Sequence, residues 1–218
     1  MVSKKHVFWQ ALLSAILIFG IGLLLGVALE NSRNNEVQKN LLNSEINVLD
    51  SQVLAQIPGN FKVDCKSSTE QLTDFADSIY SEAKLLEQYD SSSELTDTLK
   101  IVHRKYDLLR VILWTQSINL KKQCKSDFHT VVYIYQYDEP DVIVRSEQIT
   151  FGRFLEDLKQ KYGNKIILIP VAGDLKLNSI DLVKNSYGID SYPVIILDEK
   201  TVIRSVDDLD KIEGILFK

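Results

Sequence analysis

Residues 187–216 read YGIDSYPVIILDEKTVIRSVDDLDKIEGIL, and the C-terminal half of the fold can be placed from them. Tyr187-Gly188 closes a helical run, because glycine takes the left-handed conformation that ends a helix without steric cost. Tyr192-Pro193 then leads into Val194–Leu197, four apolar residues in a row, as in a strand buried on both faces. The polar turn Asp198-Glu199-Lys200 returns a second strand, Thr201–Arg204, so the two should form an antiparallel hairpin. Ser205 can cap a last helix reaching Phe217.

Upstream, Thr130–Tyr135 (TVVYIY) is β-branched or aromatic at nearly every position and predicts another strand covered on both sides. A helix is expected from about Ser146 to Tyr162, closed by Gly163, followed by a strand at Ile166–Val171 and a helix over Asn178–Tyr187. The order is β-α-β-α-β-β-α. Parallel strands joined by helices, then an antiparallel hairpin and a terminal helix, define an α/β domain over residues 128–218.

This order, together with the Tyr187–Leu216 stretch, resembles the C-terminal half of the thioredoxin superfamily. The family's usual first strand and helix have no clear counterpart in this chain. The resemblance implies a cis proline at Pro193 beside the site, with the backbone of Tyr192 exposed for strand-like pairing with an extended peptide. It also implies a Cys-x-x-Cys at the start of the helix after the first strand. The best register puts Val142 and Arg145 in the two cysteine slots, with Ile143 and Val144 between them. Neither side chain can exchange thiols, so the family's dithiol activity is expected to be absent. What the resemblance leaves is a peptide-binding groove formed by Tyr192, Pro193, Val142 and Arg145.

Towards the N-terminus, residues 61–127 read as two long helices. Ser67 with Glu70 has the capping-box spacing ahead of Leu72, Phe75, Ile79, Ala83 and Leu86. Ser91 with Glu94 repeats it ahead of Leu95, Leu99, Val102, Tyr106, Leu109 and Leu113. The short polar connection predicts an antiparallel hairpin. Such a hairpin brings Cys65 and Cys124, the two cysteines of the chain, to the same end. They are expected to form a structural disulfide. A redox-active pair, with Lys121, Lys122 and Lys125 favouring the Cys124 thiolate, and two free thiols are the alternatives.

Residues 30–60 read as a polar helical stalk with a short apolar seam at Leu42, Ile46, Leu49 and Val53, ended by Pro58-Gly59-Asn60. Within residues 1–29, Val7–Leu29 carries no charge, and 23 residues at ~1.5 Å each reach ~35 Å, enough for a transmembrane helix. A cleaved signal peptide is the competing reading, although the apolar run is longer than a signal core needs. Lys4 and Lys5 favour a cytoplasmic N-terminus and an extracytoplasmic C-terminal domain. Gly22 and Gly26 have the G-x-x-x-G spacing through which membrane helices dimerise.

Composition narrows function further. The formal charge is −5, and removing Lys4 and Lys5 from the 25 basic residues leaves 23 against 30 acidic ones, a net −7 for the rest. An acidic surface without a basic run excludes nucleic acid as the expected partner. The three histidines, His6, His103 and His129, lack metal-ligand spacing, and Asp138, Glu139 and Asp141 read as a solvated turn, so no metal or cofactor is expected. The sequence thus suggests a membrane-anchored binding protein, with homodimerisation through the glycine face as a further expectation. A thiol-disulfide oxidoreductase using Cys65 and Cys124, or a self-associating membrane spacer, are the alternatives.

Overall fold

The computed structural model describes residues 8–10, 12–27, 45–46, 50, 52, 64–90, 96–124 and 126–217, without the side chains of 82–90 and 96–98. Most of the expected stalk, its Pro58-Gly59-Asn60 break and the Ser91 cap lie outside these residues. The chain divides into two units, Met1–Asp50 and Ser51–Lys218.

In the first unit, helix α1 spans Phe8–Val27 and is long and apolar enough to cross a membrane. Its 20 residues cover ~30 Å at 1.5 Å per residue, about the thickness of a hydrocarbon core. Gly22 and Gly26 lie on it, with open space where a Cβ would point.

The second unit opens with α2 (Cys65–Asp90) and α3 (Thr96–Cys124), which pack on each other. A disulfide joins Cys65, the first residue of α2, to Cys124, the last of α3, with Cα atoms 5.5 Å apart. The pair therefore runs antiparallel, as expected. Of its expected apolar seam, Leu72, Ile79, Leu99, Tyr106, Leu109 and Leu113 are buried, and Phe75 and Val102 are half-buried. The cap differs. Asp64, not Ser67, starts α2, its Oδ2 accepting from the Ser67 amide at 3.0 Å. A carboxylate at the helix start satisfies an orphan N–H and meets the positive end of the dipole.

A four-stranded mixed sheet follows, built from β1 (His129–Tyr135), β2 (Ile166–Ala172), β3 (Val194–Leu197) and β4 (Thr201–Ile203) in the order β2-β1-β3-β4. β2 is parallel to β1, with Val131 opposite Leu168. β3 is antiparallel to both β1 and β4. Pro170 lies in edge strand β2, where a residue without an N–H is tolerated.

One face of the sheet packs Val131, Tyr133, Ile195 and Leu197 against Phe151, Leu155 and Leu158 of α4 (Val142–Tyr162), together with Leu209, Ile212 and Leu216. The last three come from a 3-10 turn (Val206–Lys211) and the short α6 (Ile212–Leu216), which replace the single terminal helix expected. Ser205 caps that turn by accepting from the Asp207 amide. Strand side chains alternate, so Val132, Ile134, Ile169, Val194 and Ile196, all buried, point to the other face. The remaining helices, α3 and α5 (Asn178–Tyr187), touch each other there. α5 ends at Gly188, in the left-handed conformation at φ 59°, ψ 44°.

The β3–β4 turn places Asp198 and Glu199 at φ 46° and 59°, values that glycine or asparagine usually occupies. Side-chain bonds hold them there. Asp198 accepts from Lys121, from the Thr130 amide at 3.0 Å, and lies 2.6 Å from His129 Nδ1. Glu199 accepts from Trp114 Nε1 at 2.9 Å and from Thr130 Oγ1. The turn thereby ties the hairpin helix α3 to the sheet.

Candidate functional site

The Tyr192-Pro193 bond is cis, and Pro193 is buried directly before Val194, the partner of Ile134. It therefore lies beside the C-terminal end of β1, from which the Gln136–Asp141 loop runs into α4. All four residues assigned to the groove gather at this end of the sheet, but no hydrogen bond or ion pair joins Tyr192 to Arg145.

Tyr192 turns to the β2–α5 connection. Its hydroxyl donates to Gly173 O at 2.9 Å, and its ring lies so close to Gly173 that a Cβ there would sit 2.4 Å from Cε1. Lys184 Nζ donates to the same carbonyl at 2.7 Å. Arg145 turns to its own loop, donating from Nε and Nη2 to Glu139 O at 3.2 and 2.6 Å.

α4 begins at Val142, four residues earlier than the sequence suggests, because Asp141 Oδ1 accepts from the Ile143 amide and caps it. Val142 and Ile143 thus stand on the first turn of the helix, 73% and 71% exposed. The loop beneath them is tied down. Asp174 accepts from the Tyr137 and Asp138 amides at 2.9 and 3.1 Å, Gln148 bonds both backbone groups of Gln136, and Lys100 pairs with Asp138. Asp138 pairs with Lys100, Glu139 Oε1 accepts from the Asp141 amide at 2.6 Å, and Asp141 caps α4.

The disulfide is at the other end of the sheet. Cys124 lies one helical turn beyond Lys121, whose ammonium meets Asp198 and Thr130 at the start of β1. Pro193 borders the opposite end of that strand, and β1 is seven residues long, ~20 Å from start to finish. Both cysteines of the chain are in this one bond.

The site that sequence reasoning missed lies on the α4 face. A cleft of about 670 Å³ runs between α2, α4 and the sheet, floored by Tyr133, Tyr135, Leu168 and Pro170, with Arg110 and Arg145 on its wall. Arg110 belongs to a buried polar cluster. Its Nη1 donates to Asp107 Oδ1 at 3.1 Å, its guanidinium also bonds the Tyr135 side chain, and Asp107 is 1% exposed. Burial pushes the Asp107 carboxyl up to about 6, more than the Arg110 cation and the Ala172 amide pull it down, and Asp174 adds repulsion. Burial likewise lifts the Tyr135 hydroxyl to about 12 and raises that of Tyr133. One signal was present in the sequence: Asp107 and Arg110 sit three apart among Tyr106, Leu109 and Leu113, charges on a helix face that is otherwise apolar.

Comparison of the chain with protein-family models, with curated proteins and with solved structures finds no match.

Proposed function

We propose that the chain is a membrane-anchored binding protein of thioredoxin-like build that captures an extended peptide segment at the C-terminal end of β1 and performs no thiol exchange. The observation that carries this reading is the pair Val142 and Ile143, which present two apolar side chains to solvent on a capped helix start, at the end of β1 that Pro193 also borders. Exposed aliphatic groups cost free energy in water, roughly 25 cal/mol for each Å² left uncovered, so a partner that covers them gains that energy. The strand order β2-β1-β3-β4, parallel on one side of β1 and antiparallel on the other, supports the family resemblance. The position of the Cys65–Cys124 bond, away from this end, supports a binding role over a redox one. Helix α1 supports the anchor.

Selection of a displayed random-peptide library on the full chain in detergent tests the proposal. Peptides enriched on the wild-type chain should be lost on Ile143→Asp, a change at an exposed position that leaves the fold intact. Equal enrichment on both proteins would refute it.

A further inference from the structure

A glycine in the middle of a helix costs about 1 kcal/mol relative to alanine and is usually explained by close packing. Gly152, halfway along α4, has no such explanation. A Cβ built there meets nothing within 4 Å, and the residue lines the cleft above Tyr133 and Tyr135. The missing side chain keeps space open rather than letting another group in.

The cleft has the features of a small-molecule site. At about 670 Å³ it falls in the range that holds a drug-sized ligand. Its floor is apolar, made by Leu168, Pro170 and the half-buried Tyr135, whose ring stacks on Tyr133 at 5.5 Å, while Tyr133 in turn stacks on Phe151 and is buried. Arg110 supplies the polar contact. Its side chain is only 9% exposed yet the residue lines the cleft, and a guanidinium carries five N–H donors. Asp107 Oδ1 and the Tyr135 side chain leave donors over. A planar fork of donors at the edge of an apolar floor matches a carboxylate attached to a flat apolar body.

We infer that the cleft between α2, α4 and the sheet binds a small carboxylate with a flat apolar body, that body against Tyr135, Leu168 and Pro170 and its anionic end on Arg110. This site shares Arg145 with the proposed groove but does not rest on the peptide-binding reading, which is carried by Val142 and Ile143.

The probe is 2-naphthoate, titrated calorimetrically into the full chain in detergent, with 2-naphthamide as the uncharged analogue. Saturable one-to-one binding of naphthoate is expected, with the amide at least tenfold weaker. Gly152→Trp, which fills the space, should abolish binding without lowering the melting temperature, and Gly152→Ala should retain it. Gly152→Leu serves if the tryptophan variant does not fold. Absence of saturable binding, equal affinity for the amide, or undiminished binding by the filled variant would each overturn the inference.

Discussion

Asp107 makes the stability of this protein depend on pH in the direction opposite to an ordinary surface carboxylate. Its carboxyl, ordinarily at 3.8, is pushed up to about 6 in the fold, because burial of this α3 residue against the end of β2 disfavours the charged form. The folded state therefore holds the proton more tightly than the unfolded chain does. The stability this confers is complete below the unfolded value and is lost as pH rises through the folded one. At ~1.4 kcal/mol for each pH unit of difference, the loss comes to about 3 kcal/mol. Asp107→Asn has no carboxyl to titrate, so the difference between the two proteins isolates this effect. Urea unfolding of the full chain in detergent, followed by Trp114 fluorescence in a Trp9→Phe background, reads it directly. Relative to the asparagine variant, the parent should lose about 3 kcal/mol between about pH 2.5 and pH 7, most of it above pH 4. A difference that does not change with pH would refute the reasoning, as would one of the opposite sign.

Three further outcomes follow from the geometry. Replacing Cys65 and Cys124 together by serine opens a loop with a sequence separation of 59, and should cost about 4 kcal/mol in the chain-entropy account; an unchanged urea midpoint would contradict it. Gly173→Ala forces a methyl against the Tyr192 ring and should cost about 1–3 kcal/mol, a penalty that disappears in a Tyr192→Ala background if the ring is its cause. Asp198→Ala removes the acceptor for Lys121 and the Thr130 amide while leaving a positive φ, and should cost roughly 2 kcal/mol or more in urea. Burial pushes the Asp198 carboxyl up, but bonds from Lys121, His129 and Thr130 outweigh it and hold the group below its ordinary value. Its stabilising effect is thus present at neutral pH and fades as pH falls through that lowered value, so the penalty of Asp198→Ala should shrink in acid.

The elements of the α/β domain were legible because each carries its own local signal. TVVYIY became a strand buried along its centre, Asn178–Tyr187 ended at Gly188 where a left-handed residue was required, and Val194–Leu197 kept its predicted bounds. Boundaries set by a single side-chain bond were less legible. Asp141 capping α4 at Val142 and Asp64 capping α2 both look like ordinary polar residues until the chain folds around them. The split of the last helix into a 3-10 turn and α6 has no periodicity strong enough to announce it. Contacts between distant segments were not legible at all. The clamp on Asp198 and Glu199 joins residues up to 85 positions apart, and the cleft draws Arg110, Tyr133, Gly152 and Pro170 from four elements. The candidate groove was legible only by resemblance, and the exposure of Val142 and Ile143 added what the sequence left unstated.

The most direct test of the binding account is a photo-crosslinker placed at position 143 and, separately, at position 200, on the β3–β4 turn at the opposite end of the sheet. Mixed with the peptides selected on the wild-type chain, the full-length protein should crosslink them from position 143 and not from position 200. Crosslinks of equal yield from both positions, or from position 200 alone, would contradict it.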